Sequence, residues 1–419
     1  MNIIEIIELK KNKKKLSQDQ INFCISGLVN KSIPDYQISA LLMAIWFNGL
    51  DDNELYFLTK AMIDSGKIYK FHPEYKKILI DKHSTGGIGD KVSIALRPIL
   101  VSFDLGVAKL SGRGLGFTGG TIDKLESINV NTDIDLKNSK KILNIANMFI
   151  VGQTNDIVPA DKLLYALRDV TGTVDSLPLI AASILSKKFA LESDYIFIDI
   201  KYGQGAFCHD IETAKKISNI MKNLAKKFKR KVYFVLSDMN EVLGNTVGNA
   251  IEVKEAIDFL KNNSDVGTYF KKLMFDLVTL ILLKTKKCKT KKEAKEKINY
   301  VLENKIAFNN FCNWIELQNG NIAKIKNDTF FKPKYWTNIA AWKSGKISYK
   351  SIIELAEIGV DLGSGRRKKE DKIDFQAGIY LHAKSNEKIK IKDKILTLYS
   401  SKPIKQDLID KAKKIIKIS

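Results

Sequence analysis

The sequence predicts an α/β protein: a small all-helical domain, a large α/β domain with a mostly parallel central sheet, and a β-rich C-terminal unit. Three observations predict it. Residues 1 to about 66 carry apolar stripes at helical spacing. From about 70 to 155, and again from 195, short apolar runs alternate with helical patterns, as parallel strands joined by crossover helices require. From Lys332 onward, runs such as FQAGIYLHAK and KIKIKDKILTLYS alternate with a period of two.

Each element has its own signal. Ser17 and Gln20 form a capping box ahead of Ile21, Phe23, Cys24 and Leu28. Asp35, after Pro34, opens a helix with the stripe Ile38, Leu41, Leu42, Ile45, and Gly66 ends the last helix of this group after Leu58 and Met62. The alternating region reads as strand 78–81, helix 92–103, strand 106–110, a helix around 140–146 and strand 148–152. Leu163, Leu164 and Leu167 mark a helix within 159–192, and Pro178 to Lys188 a second. Strand 195–201, helix 210–229, strand 231–237 and helix 249–262 resume the sheet, with further helices to about 317 and a closing helix from Lys405. The helical domain is thus 1–66 with 159–192, the α/β domain 70–155 with 195–330, and the C-terminal α+β domain 332–419.

Composition excludes several function classes. With 419 residues and 45% hydrophobic content the chain can bury two or three cores. Its formal charge of +22 invites a nucleic-acid reading, because cations on phosphates gain affinity by releasing counterions. The excess is nearly all lysine, with only six arginines, and is not interleaved with aromatics that could stack bases. No specific nucleic-acid partner is therefore expected. No apolar run approaches the ~20 residues that cross a bilayer; the longest clear one, Ala40 to Phe47, fits a buried helix. The start, MNIIEIIELKKNKKK, lacks the order of a signal peptide, so the expectation is a cytoplasmic protein with no membrane partner. Cys24, Cys208, Cys288 and Cys312 are far apart and lack zinc-ligand spacing, which predicts free thiols. Cys208 and His209 are sequence neighbours, but adjacency does not aim two side chains at each other.

The chemistry concentrates in two glycine-rich turns, DKHSTGGIGDKVS (81–93) and SGRGLGFTGGTIDKLES (111–127). In the first, Gly86, Gly87 and Gly89 let the backbone bend and approach a ligand, with Lys82, His83, Ser84 and Ser93 adding charge and donors. A helix beginning near Asp90 would point its positive end at the same place. In the second, Ser111, Arg113, Thr118 and Thr121 repeat the recipe around Gly112, Gly114, Gly116, Gly119 and Gly120. Two such turns predict a phosphate cradle beyond the carboxyl ends of the strands. The GxxxxGK[ST] pattern is absent, and no GxGxxG that follows a strand and opens a helix comes with the acidic partner downstream that a dinucleotide site needs, so neither a P-loop NTPase nor a Rossmann dehydrogenase fits.

These two segments, with PADKLLYALRDVTGTVDSLPLIAASILSKK (159–188) and SDMNEVLGNTVGNAIEVKEA (237–256), resemble the thymidine phosphorylase and pyrimidine-nucleoside phosphorylase family over nearly the whole chain. The resemblance implies reversible phosphorolysis of uridine, thymidine or deoxyuridine to free base and (deoxy)ribose 1-phosphate, with inorganic phosphate as co-substrate and no organic cofactor. It implies a homodimer. Lys82, His83, Ser84, Ser93, Lys109, Ser111 and Thr121 match phosphate-binding positions, and Arg168, Ser183 and Lys187 match pyrimidine-binding ones. His83, Arg168 and Lys187 would be catalytic, with His83 hydrogen-bonding or protonating the leaving base. Base and phosphate would be held by different domains, in a cleft that closes about hinges near 66–70, 155–160 and 190–194.

The family also implies a potassium ion at positions matching Gly89, Lys91, Leu243, Thr246 and Glu255. At Lys91 an ammonium stands where a ligand hydroxyl is expected, and an ammonium donates hydrogen bonds but cannot ligate a metal. Either Lys91 is a built-in cation that replaces the ion, or it points to solvent and water completes the ion's shell. Two further departures are Phe117, where relatives carry histidine, and KYGQGAF (201–207), which replaces a loop of smaller residues. Two alternatives stand beside this reading. One is an anthranilate-type phosphoribosyltransferase, which would need carboxylates holding magnesium on a pyrophosphate; the other is a nucleoside-binding descendant without catalysis.

Overall fold

The computed structural model describes every residue except Leu115, Phe117, Thr118, Asn155 and Lys369. In chain order the first helices are α1 (Ile3–Lys11), α2 (Gln18–Val29), α3 (Asp35–Asn48) and α4 (Asp52–Asp64). Then come β1 (Ile78–Ser84), α5 (Val92–Val101), β2 (Leu105–Ser111), α6 (Thr121–Glu126), α7 (Leu136–Ala146) and β3 (Met148–Gly152). Two helices, α8 (Pro159–Thr171) and α9 (Leu177–Phe189), precede β4 (Tyr195–Tyr202), α10 (Ile211–Lys227), β5 (Val232–Asp238) and β6 (Thr246–Gly248). Helices α11 (Ala250–Leu260), α12 (Thr268–Lys284), α13 (Lys291–Glu303), α14 (Ile306–Leu317) and α15 (Ile322–Lys326) follow. The last part holds β7 (Tyr335–Ala340), β8 (Gly345–Tyr349), α16 (Ile352–Gly359), β9 (Gly378–Leu381), β10 (Lys388–Ile389), β11 (Lys394–Ser400), α17 (Gln406–Lys414) and β12 (Ile416–Ile418). The central sheet has the order β3-β2-β1-β4-β5, and β2 runs parallel to β3 in the register Val107↔Met148 to Ser111↔Gly152.

The chain divides into two compact units, one of residues 1–81, 153–196 and 212–234, the other of 82–152, 197–211 and 235–419. In the first, helix starts follow local chemistry. Ser17 Oγ accepts from Gln20 N while Gln20 Oε1 accepts from Ser17 N, the capping box expected of α2. Asp51 and Glu54 make a second box on α4. Glu54 is only 2% exposed and also accepts from Lys10 Nζ at 2.8 Å and Leu16 N at 2.9 Å. One carboxylate thus caps α4, fixes the 12–17 turn and neutralises a lysine that is itself 3% exposed.

In the second unit the C-terminal region is built from two antiparallel sheets, β10-β8-β12 and β6-β9-β11-β7. Three features depart from the sequence reading. Strand β6 comes from the middle of the chain and pairs with β9 through Thr246↔Tyr380, Val247↔Ile379 and Gly248↔Gly378. Its glycine is forced: a Cβ on Gly248 would lie 2.8 Å from Ala377 O, and one on Gly378 would lie 2.7 Å from Val247 O. Helix α16 interrupts the β-rich run, capped by Ser351 Oγ accepting from Glu354 N. The final element is β12, paired with β8 by Ile416↔Tyr349 and Ile418↔Ile347, and not the helix α17. Strands of three residues leave too little alternation to read. All four cysteines are free and buried, and among the described residues no helix is long and apolar enough to cross a membrane.

The Lys10–Glu54 pair yields a test. Glu54→Ala strands a buried ammonium, so the unfolding free energy of the helical unit should fall by about 3–5 kcal/mol. The pair Lys10→Met/Glu54→Gln removes both charges and keeps an acceptor for Leu16, so it should lose clearly less. Urea unfolding of the three proteins measures the difference.

Candidate functional site

Strand β1 delivers Lys82, His83 and Ser84 to the first glycine turn, where Gly86 and Gly89 adopt φ of +92° and +78°. These are left-handed values that suit glycine. Ile88 N donates to Gly205 O, and Leu243 N donates to Ile88 O, so the turn is pinned on both sides. The Ser84 hydroxyl donates to Asp90 Oδ2 and accepts from Gly86 N. Its proton is therefore committed within the turn in this state. His83 is half-buried beside it.

Beneath the turn lies a buried charge network that periodicity did not reveal. Lys82 Nζ lies 3.0 Å from Asp199 Oδ2, and Lys201 Nζ lies 2.8 Å from the same oxygen; all three side chains are 0% exposed. Ser237 Oγ donates to the other oxygen, Asp199 Oδ1. Burial pulls the Lys82 ammonium below its ordinary pKa against the attraction of Asp199 and Asp90. For Lys201 burial acts the same way, but Asp199 and Asp90 outweigh it and its pKa rises. Burial opposes ionisation of Asp90, yet Lys201, Lys82 and the Ser84 hydroxyl hold its carboxyl well below the usual range. Lys124 closes the network, donating to Asp90 O at 2.9 Å and pairing with Glu252 at 2.7 Å. The signal was present in YIFIDIKY, where two charges interrupt an otherwise apolar buried strand.

The second glycine turn begins at the end of β2. Lys109 and Ser111 are buried there, and Lys109 Nζ donates to Lys82 O at 3.0 Å. Ser93 is buried on the first turn of α5, and Thr121 opens α6. Arg113 departs from the expectation that it lends charge to the cradle. Its guanidinium makes two 2.7 Å bonds to Glu126 and one of 3.2 Å to Asp123, so it closes the turn instead. Gly120 is required, since a Cβ would lie 2.0 Å from Gly114 N. Phe117 and Thr118 lie outside the described residues.

In the helical unit, Ser183 and Lys187 sit one turn apart on α9, as their spacing predicts. Lys187 Nζ donates to Ser183 Oγ at 3.0 Å and to Asp161 of α8, a residue the sequence reading left out although it lies in the PADK segment. The Arg168 guanidinium is committed to backbone: Nε to Thr173 O at 3.1 Å, and its two terminal nitrogens to Leu179 O at 3.2 Å and Val174 O at 2.6 Å. Arg168 thus braces the 173–179 turn that leads into α9. Burial lowers its pKa, against the attraction of Asp161.

The residues matching the family's potassium ligands converge, but on an ammonium. Lys91 is 0% exposed, and its Nζ donates to Leu243 O at 2.7 Å and Glu255 Oε2 at 2.6 Å. Thr246 Oγ1 also donates to Glu255 Oε2, while Asn245 N and Gly267 N donate to Oε1. Burial opposes the charge on Glu255, but Lys91 and these donors keep its pKa low. Two of the expected oxygen ligands are bound by Lys91, so this set does not fit a potassium ion.

Comparison with known proteins agrees with this architecture. Residues 4–66 match the glycosyl transferase family, helical bundle domain; residues 76–308 match the glycosyl transferase family, a/b domain; and residues 346–419 match the pyrimidine nucleoside phosphorylase C-terminal domain. The chain is 53% identical to a thymidine phosphorylase of Mycoplasma genitalium over 100% of both chains. It is 39% identical to a pyrimidine-nucleoside phosphorylase of Staphylococcus haemolyticus over 100% of this chain and 96% of that one. Among solved structures, anthranilate phosphoribosyltransferase from Thermus thermophilus superposes with a TM-score of 0.58 at 14% identity, covering 75% of this chain and 99% of that one; this likeness concerns the fold. The full-length identity and the three matching domains together place the chain in the thymidine/pyrimidine-nucleoside phosphorylase family of glycosyl transferases.

Proposed function

We propose that the protein catalyses the reversible phosphorolysis of uridine, thymidine and deoxyuridine, giving the free pyrimidine and (deoxy)ribose 1-phosphate. Inorganic phosphate is the co-substrate, no organic cofactor takes part, and the enzyme works as a cytoplasmic homodimer. The observation that supports the reading most is the pair of buried ammoniums, Lys82 and Lys201, that share the single carboxylate Asp199 at the first glycine turn. Asp199 and Asp90 hold these ammoniums charged at the root of a turn whose glycines allow close approach of a ligand, and positive charge fixed there favours an anion.

Phosphate oxygen attacks the anomeric carbon as the bond from that carbon to the ring nitrogen breaks. Positive charge grows on the sugar and negative charge on the departing base. Phosphate held by Lys82, Ser84, Ser93, Lys109, Ser111 and Thr121 stabilises the first, and groups that donate to the base stabilise the second. Lys187 is oriented for this by Asp161 and Ser183, which fix its ammonium from two sides. Arg168 contributes to base binding through the turn it braces as well as its own charge, and His83 donates to the leaving pyrimidine. The phosphoribosyltransferase reading is less well supported, because Asp90 and Asp199, the carboxylates at this turn, already serve ammoniums and a hydroxyl.

Phosphate-dependent release of uracil and thymine is the direct test, and no release from any pyrimidine nucleoside would end the proposal. Lys187→Ala should cost roughly 3–4 kcal/mol of transition-state stabilisation, read as a fall in kcat/KM of about two to three orders of magnitude. Near-wild-type kcat/KM would remove Lys187 from its role. In a nucleoside panel, uridine and thymidine should both turn over, since Lys109 matches the form found in enzymes of broad specificity. Turnover of thymidine with none of uridine would refute that expectation.

A further inference from the structure

Segment 242–246 presents three successive carbonyls to the buried space beside Glu255, and two lysines from distant parts of the chain fill it. Lys91 Nζ takes Leu243 O at 2.7 Å and Glu255 at 2.6 Å. Lys384, from the turn after β9, donates to Gly244 O and lies 3.4 Å from Val242 O. The backbone is shaped around these ammoniums. Gly244 has φ of +84°, and a Cβ there would lie 2.4 Å from Lys91 Nζ and 2.5 Å from Glu255 Oε1. Phe270 covers the Lys91 ammonium from one side, its ring centroid 5.3 Å away.

An ammonium group is close to a potassium ion in size and carries the same charge, but it directs that charge along N–H bonds. A free ion at this point would meet carbonyls already donated to, a carboxylate already neutralised, and a second like charge within the same buried space. We propose that Lys91 and Lys384 form a covalently tethered cation site, which joins the first glycine turn to segment 242–246 and to the C-terminal sheet and makes the protein indifferent to potassium. Lys91 is the link to the phosphate cradle: it is the residue before α5, follows Asp90, and stands two residues from Ser93. A Cβ on Gly89 would lie 2.6 Å from Leu243 O, so the turn and the 242–246 backbone are in direct contact at the clip. Lys91 is thus a positioning residue for phosphate, and to that extent the inference rests on the phosphorylase reading.

The test compares wild type and Lys91→Thr in potassium, sodium and choline chlorides at equal ionic strength, reading both the thermal midpoint and the KM for phosphate. Wild type should give the same midpoint and the same KM in all three salts. A saturable, several-fold activation by potassium, or a midpoint raised by potassium alone, would overturn the proposal. Lys91→Thr restores an oxygen and leaves Glu255 without its cation. Its midpoint should fall and its KM for phosphate rise several-fold, with potassium recovering both and choline neither. A folded Lys91→Thr protein as indifferent to potassium as wild type would equally defeat the idea. The wild-type melting comparison needs neither turnover nor a variant. Failure of the phosphorylase reading, seen as no base release, is therefore distinguishable from failure of the clip.

Discussion

A carboxylate sealed from water is costly unless cations and donors replace its hydration, and Asp199 meets that condition with Lys82, Lys201 and Ser237. Much of the structure around the first glycine turn follows from this one arrangement. Holding Lys82 fixes the end of β1, and the carbonyl of Lys82 in turn receives Lys109 from β2. Thr85, the next residue but two, receives Lys201 N from β4 on its hydroxyl. The first glycine turn is thus anchored from neighbouring strands at its root, while its tip is left to glycine. Rigid support beneath and permissive backbone above suit a site that must approach an anion closely without collapsing in its absence.

How much of this could be read from residues alone depends on how local each signal is. The α2 capping box is written within four residues, and β3 runs over 148–152 as its apolar run suggests. Ser183 and Lys187 meet because a helix brings i and i+4 together. The Lys91–Glu255 contact spans 164 residues; it could be anticipated only because an ammonium stood among positions that a resemblance had already grouped. Without such a grouping, long-range partners stayed hidden. Asp161 under Lys187, Asp199 under Lys82, and the Arg113–Glu126 closure follow from no periodicity. Arg168 shows the limit most clearly: its position on α8 was legible, but nothing in the sequence said that its guanidinium would be spent on three backbone carbonyls.

The two units solve the problem of a buried cation in different ways. In the helical unit Lys10 meets a single carboxylate, Glu54, which also caps a helix. In the other unit Lys82 and Lys201 share one carboxylate, and Lys91 divides itself between a carboxylate and a carbonyl. The first is a closed pair. The second pattern is a network, in which Asp90 and Asp199 face Lys82 and Lys201 together and each charge is held by more than one partner.

Strand β6 carries a consequence for how the protein is made. Its partner β9 is encoded on the order of a hundred residues downstream, a separation that makes pairing slow and entropically expensive. While the chain emerges from the ribosome, Thr246–Gly248 has no strand to join, and Gly244 O awaits a lysine not yet synthesised. The segment that abuts the first glycine turn therefore reaches its final form only after translation has passed Lys384. The first glycine turn, though written early in the message, matures late, and a truncated product would carry the turn's residues without the support that shapes them.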